Sequence, residues 1–201
     1  MISRSKLKGL YEDKGFSMQE IADELRCSIN KVQYWMDKYQ MKRRSRSDAL
    51  YIKHNPNGDP FKIKEKFNES DLVLLGLGLG LWWGEGNKRH SGVVRLGNSD
   101  PLLIRQFILF LERICGVDKK KLRFGLQIFS DINPDEAKSY WIDSLGVESS
   151  QFHPRIIVTQ TGKIGTYRKK SKYGVLTLYC SNIKLRAVFD DLMKKFAYEL
   201  N

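Results

Sequence analysis

The stretch "GLGLGLWWGEGNK", residues 76–88, decides how the second half of this chain is interpreted. It places five glycines among leucines and two tryptophans, and it holds a single carboxylate, Glu85. A strand, a phosphate-binding loop and a glycine-rich helix compete as interpretations. A strand is disfavoured because the apolar run over residues 72–83 is long for one.

Spacing excludes the two common phosphate loops. The pattern GxGxxG fails because, after Gly78 and Gly80, the next glycine falls at 84. The pattern GxxxxGK followed by serine or threonine fails because Asn87 follows Gly86. The sequence therefore predicts a helix over about residues 71–86, with Ser70 as its N-cap.

Glycine inside a helix costs about 0.5–1 kcal/mol relative to alanine, so close packing must offset several of them. Gly76, Gly80 and Gly84 recur at i, i+4 and i+8 and form one stripe without side chains. Such a stripe lets a second helix approach backbone to backbone. The last turn then carries Glu85 out of the helix pair, towards solvent or ligand.

The remaining second domain, residues 69–201, reads as an α+β unit with four strands and about four helices. "GVVRLGNSD", "KLRFGLQIFS", "HPRIIVTQTG" and "YGVLTLYCS" predict strands. "SDPLLIRQFILFLERICGV", "NPDEAKSYWIDSLG" and the amphipathic terminal segment predict helices. Asp100 or Ser99 caps the first and Asn133 the second, and Gly116 and Gly146 supply the stops.

Residues 1–46 form the first predicted domain, in which residues 5–45 predict three short helices. Ser17 and Glu20 form a capping box for the second, and Ser28 caps the third. We expect Ile29, Val32, Trp35 and Met36 to face the core, because they recur at helical spacing. "GFSMQEIADELRCSINKVQYWMDKYQMKRRS" resembles the homeodomain-like helix-turn-helix found beside resolvase and endonuclease domains.

A helix-turn-helix places its second helix in the major groove. The residues predicted to face DNA there are Ser28, Asn30, Lys31, Gln33 and Tyr34. The basic tail that follows suits phosphates or a minor groove, and its members are Lys42, Arg43, Arg44 and Arg46. The alternative is a helical bundle with an ordinary solvated charged face.

Charge supports a polyanionic partner. The 201 residues hold 35 Lys+Arg against 23 Asp+Glu, a net +12, and double-stranded DNA is the expected partner. A merely basic protein is the alternative.

No apolar run reaches membrane-span length, so we expect no membrane partner and an intracellular, cytoplasmic location at the nucleoid. Residues 47–68, with "NPNGDP", predict a basic linker. Three scattered cysteines indicate neither a disulfide framework nor a zinc ribbon.

"GLGLWWGEG", residues 78–86, resembles the motif of the LAGLIDADG homing endonucleases. Gly80, Leu81 and Gly86 match its third, fourth and ninth positions, and Glu85 replaces the final aspartate. Trp83 stands where the family has its first, non-catalytic aspartate. One motif is present, and single-motif members act as homodimers. The element order also departs from the family's αββαββα, because an extra helix is predicted near residues 134–144.

The resemblance implies a Mg²⁺-dependent, site-specific DNA endonuclease with a four-stranded saddle-shaped sheet in the major groove. It implies that Glu85, with Gly84, binds the metal, and that a lysine assists, for which Lys170 and Lys172 are candidates. The implied dimer interface comprises Gly76, Gly80, Leu81 and Gly84. The strand residues that fit the saddle are Arg95, Lys121, Arg123, Gln127, Arg155 and Gln160.

Two other functions remain open. Homing-type domains joined to helix-turn-helix modules also occur as transcription regulators that bind DNA without cutting it. These usually lose the acidic position, whereas this chain keeps Glu85, which favours the enzyme. The third possibility is an RNA-binding role in intron splicing, which the same fold supports.

Overall fold

The computed structural model describes residues 1–89, 92–160 and 171–199. These residues form eight α-helices and a four-stranded mixed sheet, which confirms the α+β class. The chain divides into two compact units, Met1–Pro60 and Phe61–Asn201. Within the described residues no helix is both long enough and apolar enough to cross a membrane.

The first unit is entirely helical. Helix α1 (Arg4–Lys8) continues into a π-helical turn, Gly9–Asp13, and is followed by α2 (Met18–Glu24) and α3 (Ile29–Lys38). The predicted capping box at α2 is present, since Ser17 and Glu20 exchange hydrogen bonds. The bond from the Ser17 N–H lowers the pKa of Glu20. Ser28 caps α3 by accepting from the Lys31 N–H at 3.3 Å.

A fourth helix, α4 (Arg46–His54), begins where the sequence predicted a linker. Ser45 caps it by accepting from the Asp48 N–H at 3.0 Å, a local signal that the weak apolar periodicity of the segment concealed. A Cβ added to Gly15 would lie 3.0 Å from Ile52 of this helix. The end of the predicted linker is also packed, because Phe61, Ile63 and Phe67 lie against the core of the second unit.

The second unit alternates helices and strands. Its elements in chain order are α5 (Glu69–Glu85), β1 (Val94–Asn98), α6 (Pro101–Arg113), β2 (Arg123–Phe129), α7 (Pro134–Leu145), β3 (Ile157–Thr159), β4 (Val175–Cys180) and α8 (Ile183–Glu199). Asp100 and Asn133 cap α6 and α7 as predicted. The predicted cap of α5 is wrong, because Asn68 forms the capping box with Asp71.

The sheet has the strand order β1-β4-β2-β3. Strand β4 is antiparallel to both β1 and β2, whereas the short edge strand β3 runs parallel to β2. One face is buried under the helices, and its side chains alternate with those of the opposite face. The buried face includes Leu96, Phe124, Leu126, Leu176 and Leu178. Among the described residues, the side chains of the opposite face are exposed or half-buried.

Burial also makes two of the three free cysteines unreactive. Cys115 and Cys180 are buried, and the loss of solvation raises the pKa of the Cys180 thiol to about 11 and that of Cys115 in the same direction. Neither thiol is therefore ionised near neutral pH.

A buried carboxylate ties the start of α5 to the end of α6. Asp71 is fully buried, and its two oxygens lie 2.6 Å from Lys64 Nζ and 2.6 Å from Arg113 Nε. It also accepts from the Asn68 N–H at 3.1 Å. The Lys64 hydrogen bond, followed by those from Asn68 and Arg113, lowers the pKa of Asp71 from 3.8 to about 2. The ionised form therefore stabilises the fold.

We expect Asp71→Asn to lower the free energy of unfolding at neutral pH, because it removes both ion pairs. A folded pKa of about 2 against 3.8 means that the stabilisation is complete above pH 4 and is lost as pH falls towards 2. Urea unfolding at stepped pH should therefore show wild type and variant converging over that range. The matched control is Asp143→Asn on α7, which is exposed and should change stability by less than about 0.5 kcal/mol. If the free energies of unfolding of wild type and Asp71→Asn differed by the same amount at pH 7 and at pH 2, the stabilising role of the ionised Asp71 would be refuted.

Candidate functional site

Helix α5 has two apolar faces, of which the described part of the chain covers one. Leu74, Gly78, Leu79 and Trp82 are buried against the rest of the second unit. A helix that is apolar all round is normally covered all round. Here four large side chains remain 42–71% exposed, namely Leu72, Val73, Leu77 and Trp83. This face has the character of a binding surface.

The glycines of α5 divide between the same two faces. A Cβ added to Gly78 would lie 2.1 Å from Cγ of Phe110, so glycine there is required for α5 to pack on α6. A Cβ added to Gly76, Gly80 or Gly84 would meet nothing within 4 Å in the part of the chain that the structure describes. The close contact made inside the chain therefore uses Gly78, not the predicted stripe. Leu81, assigned to the dimer interface with that stripe, packs partly against its own core.

Glu85 is held at the exit of α5 by a tight turn. The Gly86 N–H donates to the Trp82 carbonyl at 3.0 Å and ends the helix. A Cβ on Gly86 would lie 2.3 Å from that carbonyl oxygen and 2.4 Å from the Trp82 indole, so only glycine fits. Gly86 then pairs with Leu96 of β1. The exposed Glu85 carboxylate consequently lies where the helix meets the sheet.

Two cations missed by sequence reasoning lie at this exit. The Lys88 ammonium donates a hydrogen bond to the Trp83 carbonyl, in the last turn of α5. Arg186 of α8 is buried with its guanidinium carbon 4.8 Å from the Trp82 ring, and it pairs with Asp190 and donates to the Lys88 carbonyl at 3.4 Å. Lys88 could have been found as the lysine three residues after Glu85. No local signal marks Arg186, which is distant in sequence.

The two predicted assisting lysines gain no support as neighbours of Glu85. Lys170 lies outside the described residues. Lys172 is exposed before β4, with its ammonium 5.2 Å from the centroid of the adjacent Tyr173 ring. Among the described residues, Lys88 is a lysine that the structure brings to the end of α5.

The open face of the sheet carries a row of polar side chains across three strands. Register places Arg95 and Arg123 on either side of Tyr179. The Arg95 guanidinium carbon lies 5.1 Å from the Tyr179 ring centroid, and the His153 ring lies 5.1 Å away on edge. Arg123 also donates from Nη1 to the Lys120 carbonyl at 2.8 Å. These contacts fix a basic, aromatic row that can face a polyanion.

The other predicted strand residues separate into two groups. Gln127 lies on the open face and donates to the Thr159 hydroxyl at 3.1 Å. Lys121 lies in a 3-10 turn before β2, and Arg155 and Gln160 flank β3, so the prediction that these three belong to strands is wrong. The strands are shorter than the alternating patterns suggested, and all three side chains are exposed.

In the first unit α3 presents most of the side chains predicted to contact DNA. Asn30, Lys31 and Tyr34 are exposed, Gln33 is half-buried, and Ser28 is the cap. Ile29 was expected in the core but is 38% exposed, because it begins the helix before the buried Val32 and Met36. It therefore joins the exposed face of α3.

Two arginines of the basic tail have partners within the unit. Arg43 makes a bidentate ion pair with Asp37, at 2.7 and 2.8 Å. Arg44 is half-buried, donates to the carbonyls of Tyr11, Gly15 and Phe16, and lies 3.9 Å from the Tyr11 ring centroid. The structure thus gives Arg44 a packing role in place of the predicted surface role. Lys42 and Arg46 are exposed.

Oxygen donors at the end of α5 are of the type that Mg²⁺ prefers, since the Glu85 carboxylate and the Gly84 carbonyl belong to its last turn. Over residues 1–89, 92–160 and 171–199 no cluster of three His, Cys, Asp or Glu side chains is found.

Comparison of the chain with protein-family models, with curated proteins and with solved structures finds no match.

The two classes of glycine in α5 should respond oppositely to alanine. Gly78→Ala should lower the melting temperature, because the new methyl group collides with Phe110. Gly80→Ala should stabilise the isolated chain by about 0.5–1 kcal/mol, because its methyl group meets open space and alanine favours helix. Thermal unfolding at low protein concentration checks both. Equal destabilisation by the two variants would show that the exposed stripe is packed within the chain.

Proposed function

We propose that this protein is a metal-dependent, site-specific double-stranded DNA endonuclease that acts as a homodimer. The observation that carries the proposal is the exposed face of α5: its glycines destabilise the helix, and no described contact within the chain requires them. Glu85 is the last residue of the same helix. A surface of this kind is explained if another helix packs directly on its backbone.

A second copy of α5 is the partner that meets this requirement. In a two-fold contact the same residues face one another, so an apolar glycine-striped face complements itself. Glu85 lies five residues beyond Gly80, roughly 7.5 Å along the helix axis. If the helices pack in parallel, both Glu85 carboxylates come to the same end of the pair. Each chain then contributes one acid to a shared site.

The site chemistry follows from the groups at that end. Glu85, with the Gly84 carbonyl, would hold Mg²⁺, and such an ion supplies charge stabilisation at the phosphoryl oxygens during phosphodiester hydrolysis. Lys88 adds a positive charge at the same helix end, suited to a phosphate oxygen. Arg186 holds the Lys88 backbone and the Trp82 indole, so it positions the turn that carries Glu85.

Two basic surfaces support duplex DNA as the substrate. The open face of the sheet carries Arg95, Tyr179 and Arg123 in one row, followed by Gln127, and amide and guanidinium groups are those that read base edges. In the other unit α3 exposes Asn30 and Lys31. Both surfaces fit the net charge of +12.

The second candidate is a DNA-binding regulator with the same fold. Its support is that the two DNA-facing surfaces do not depend on Glu85 for their geometry. Tight binding of a selected duplex by wild type, with no cleavage in Mg²⁺, would favour this candidate over the enzyme.

We expect Glu85→Gln to lower the cleavage rate at least about 100-fold, while DNA binding persists. The assay incubates the full chain with Mg²⁺ and a plasmid library of random inserts and sequences the cut ends; gel shift measures binding. Glu112→Gln is the matched control, because Glu112 is also exposed in the last turns of a helix. Wild-type activity in Glu85→Gln would remove the catalytic role of Glu85.

A further inference from the structure

A basic cleft of about 550 Å³ lies in the first unit, away from the exposed residues of α3 described above. Arg4 and Lys8, one helical turn apart on α1, line it together with Lys42, which follows α3. Glu12 is the one carboxylate of the lining, and it lies 3.9 Å from Lys8 as an exposed pair. Three cations therefore face one acid.

The cleft is built by specific contacts. The Tyr39 hydroxyl donates to the carbonyl of the buried Ile2 at 2.8 Å and fixes the beginning of the chain against the end of α3. Gln40 then takes a positive φ of 52°, and the Met41 N–H closes on the Met36 carbonyl at 2.9 Å. This reversal directs the chain back towards α1 and places Lys42 beside Arg4 and Lys8.

The neighbouring Arg43 and Arg44 cannot extend into this cleft without breaking the contacts that they make within the first unit. Arg43 is neutralised by Asp37, and Arg44 holds the carbonyls that follow α1. Of the consecutive cations Lys42, Arg43 and Arg44, Lys42 is thus the one that the fold directs to a surface shared with α1.

We propose that Arg4, Lys8 and Lys42 form a clamp for the backbone phosphates of duplex DNA, separate from the base-facing residues of α3. The three cations and the neighbouring Gln40 are all exposed. A small ligand requires enclosure, whereas successive phosphates of an extended, hydrated polyanion bind to exposed cations. The clamp rests on the proposed DNA-binding function and adds a sequence-independent contact to it.

Salt dependence of binding tests the clamp. The full chain is titrated against a mixed-sequence duplex of about 30 base pairs at stepped NaCl concentrations, with fluorescence anisotropy as readout. Each phosphate contact contributes about 0.9 to the slope of log K against log salt. Arg4→Gln, Lys8→Gln and Lys42→Gln should each lower the slope by about that amount, and the triple variant by nearly three times as much.

Lys6→Gln is the matched control, because Lys6 is an exposed cation of α1 that does not line the cleft. Its slope should equal that of wild type, and circular dichroism should show the same fold for all variants. A wild-type slope in the triple variant, or an equal loss in Lys6→Gln, would overturn the clamp and leave DNA binding standing. Absence of wild-type binding to any duplex would overturn both proposals.

Discussion

The contact between Gly78 and the Phe110 ring fixes the orientation of α5, and the rest of the second unit depends on it. Because the ring lies where a side chain would be, α5 can rest on α6 only with this face inward. Trp82, one turn later, is then buried against Phe189 and under the Arg186 guanidinium. Gly86 packs against the Trp82 indole, and the chain then continues towards the sheet, with Glu85 at the turn. The opposite face, with Gly76, Gly80 and Gly84, is left outward by the same rotation.

Local chemistry made much of the fold predictable. The caps at Ser17, Ser28, Asp100 and Asn133 are decided by residues within one turn, so the helices they begin could be predicted. Contacts between distant residues could not be predicted. The glycines of an all-apolar helix carry no sign of which stripe faces their own chain, and Arg44 resembles a surface cation until Tyr11 and the carbonyls near it are brought together. The edge pairing of β3 and the approach of Arg186 to Trp82 likewise depend on tertiary packing.

The described residues carry three surfaces of different physical character, two on the second unit and one on the first. The outward face of α5 is apolar and suits a protein partner, the open face of the sheet is basic and aromatic, and the first unit offers α3 and a basic cleft. Asp71 fixes the far end of α5 through Lys64 and Arg113, so the helix that presents Glu85 is held at both ends. Under the proposed pairing of two α5 helices, a second Glu85 would arrive beside the first and complete a shared site.

The separation of the two Glu85 carboxylates in a crystallised dimer tests the central claim most directly. If two metal ions about 4 Å apart were each held at about 2 Å by one Glu85, the carboxylates would lie within roughly 8 Å of one another. We expect a separation within that range, with the Gly80 backbones of the two chains in contact. Carboxylates tens of ångströms apart, or an α5 face that stays exposed in the assembly, would contradict it.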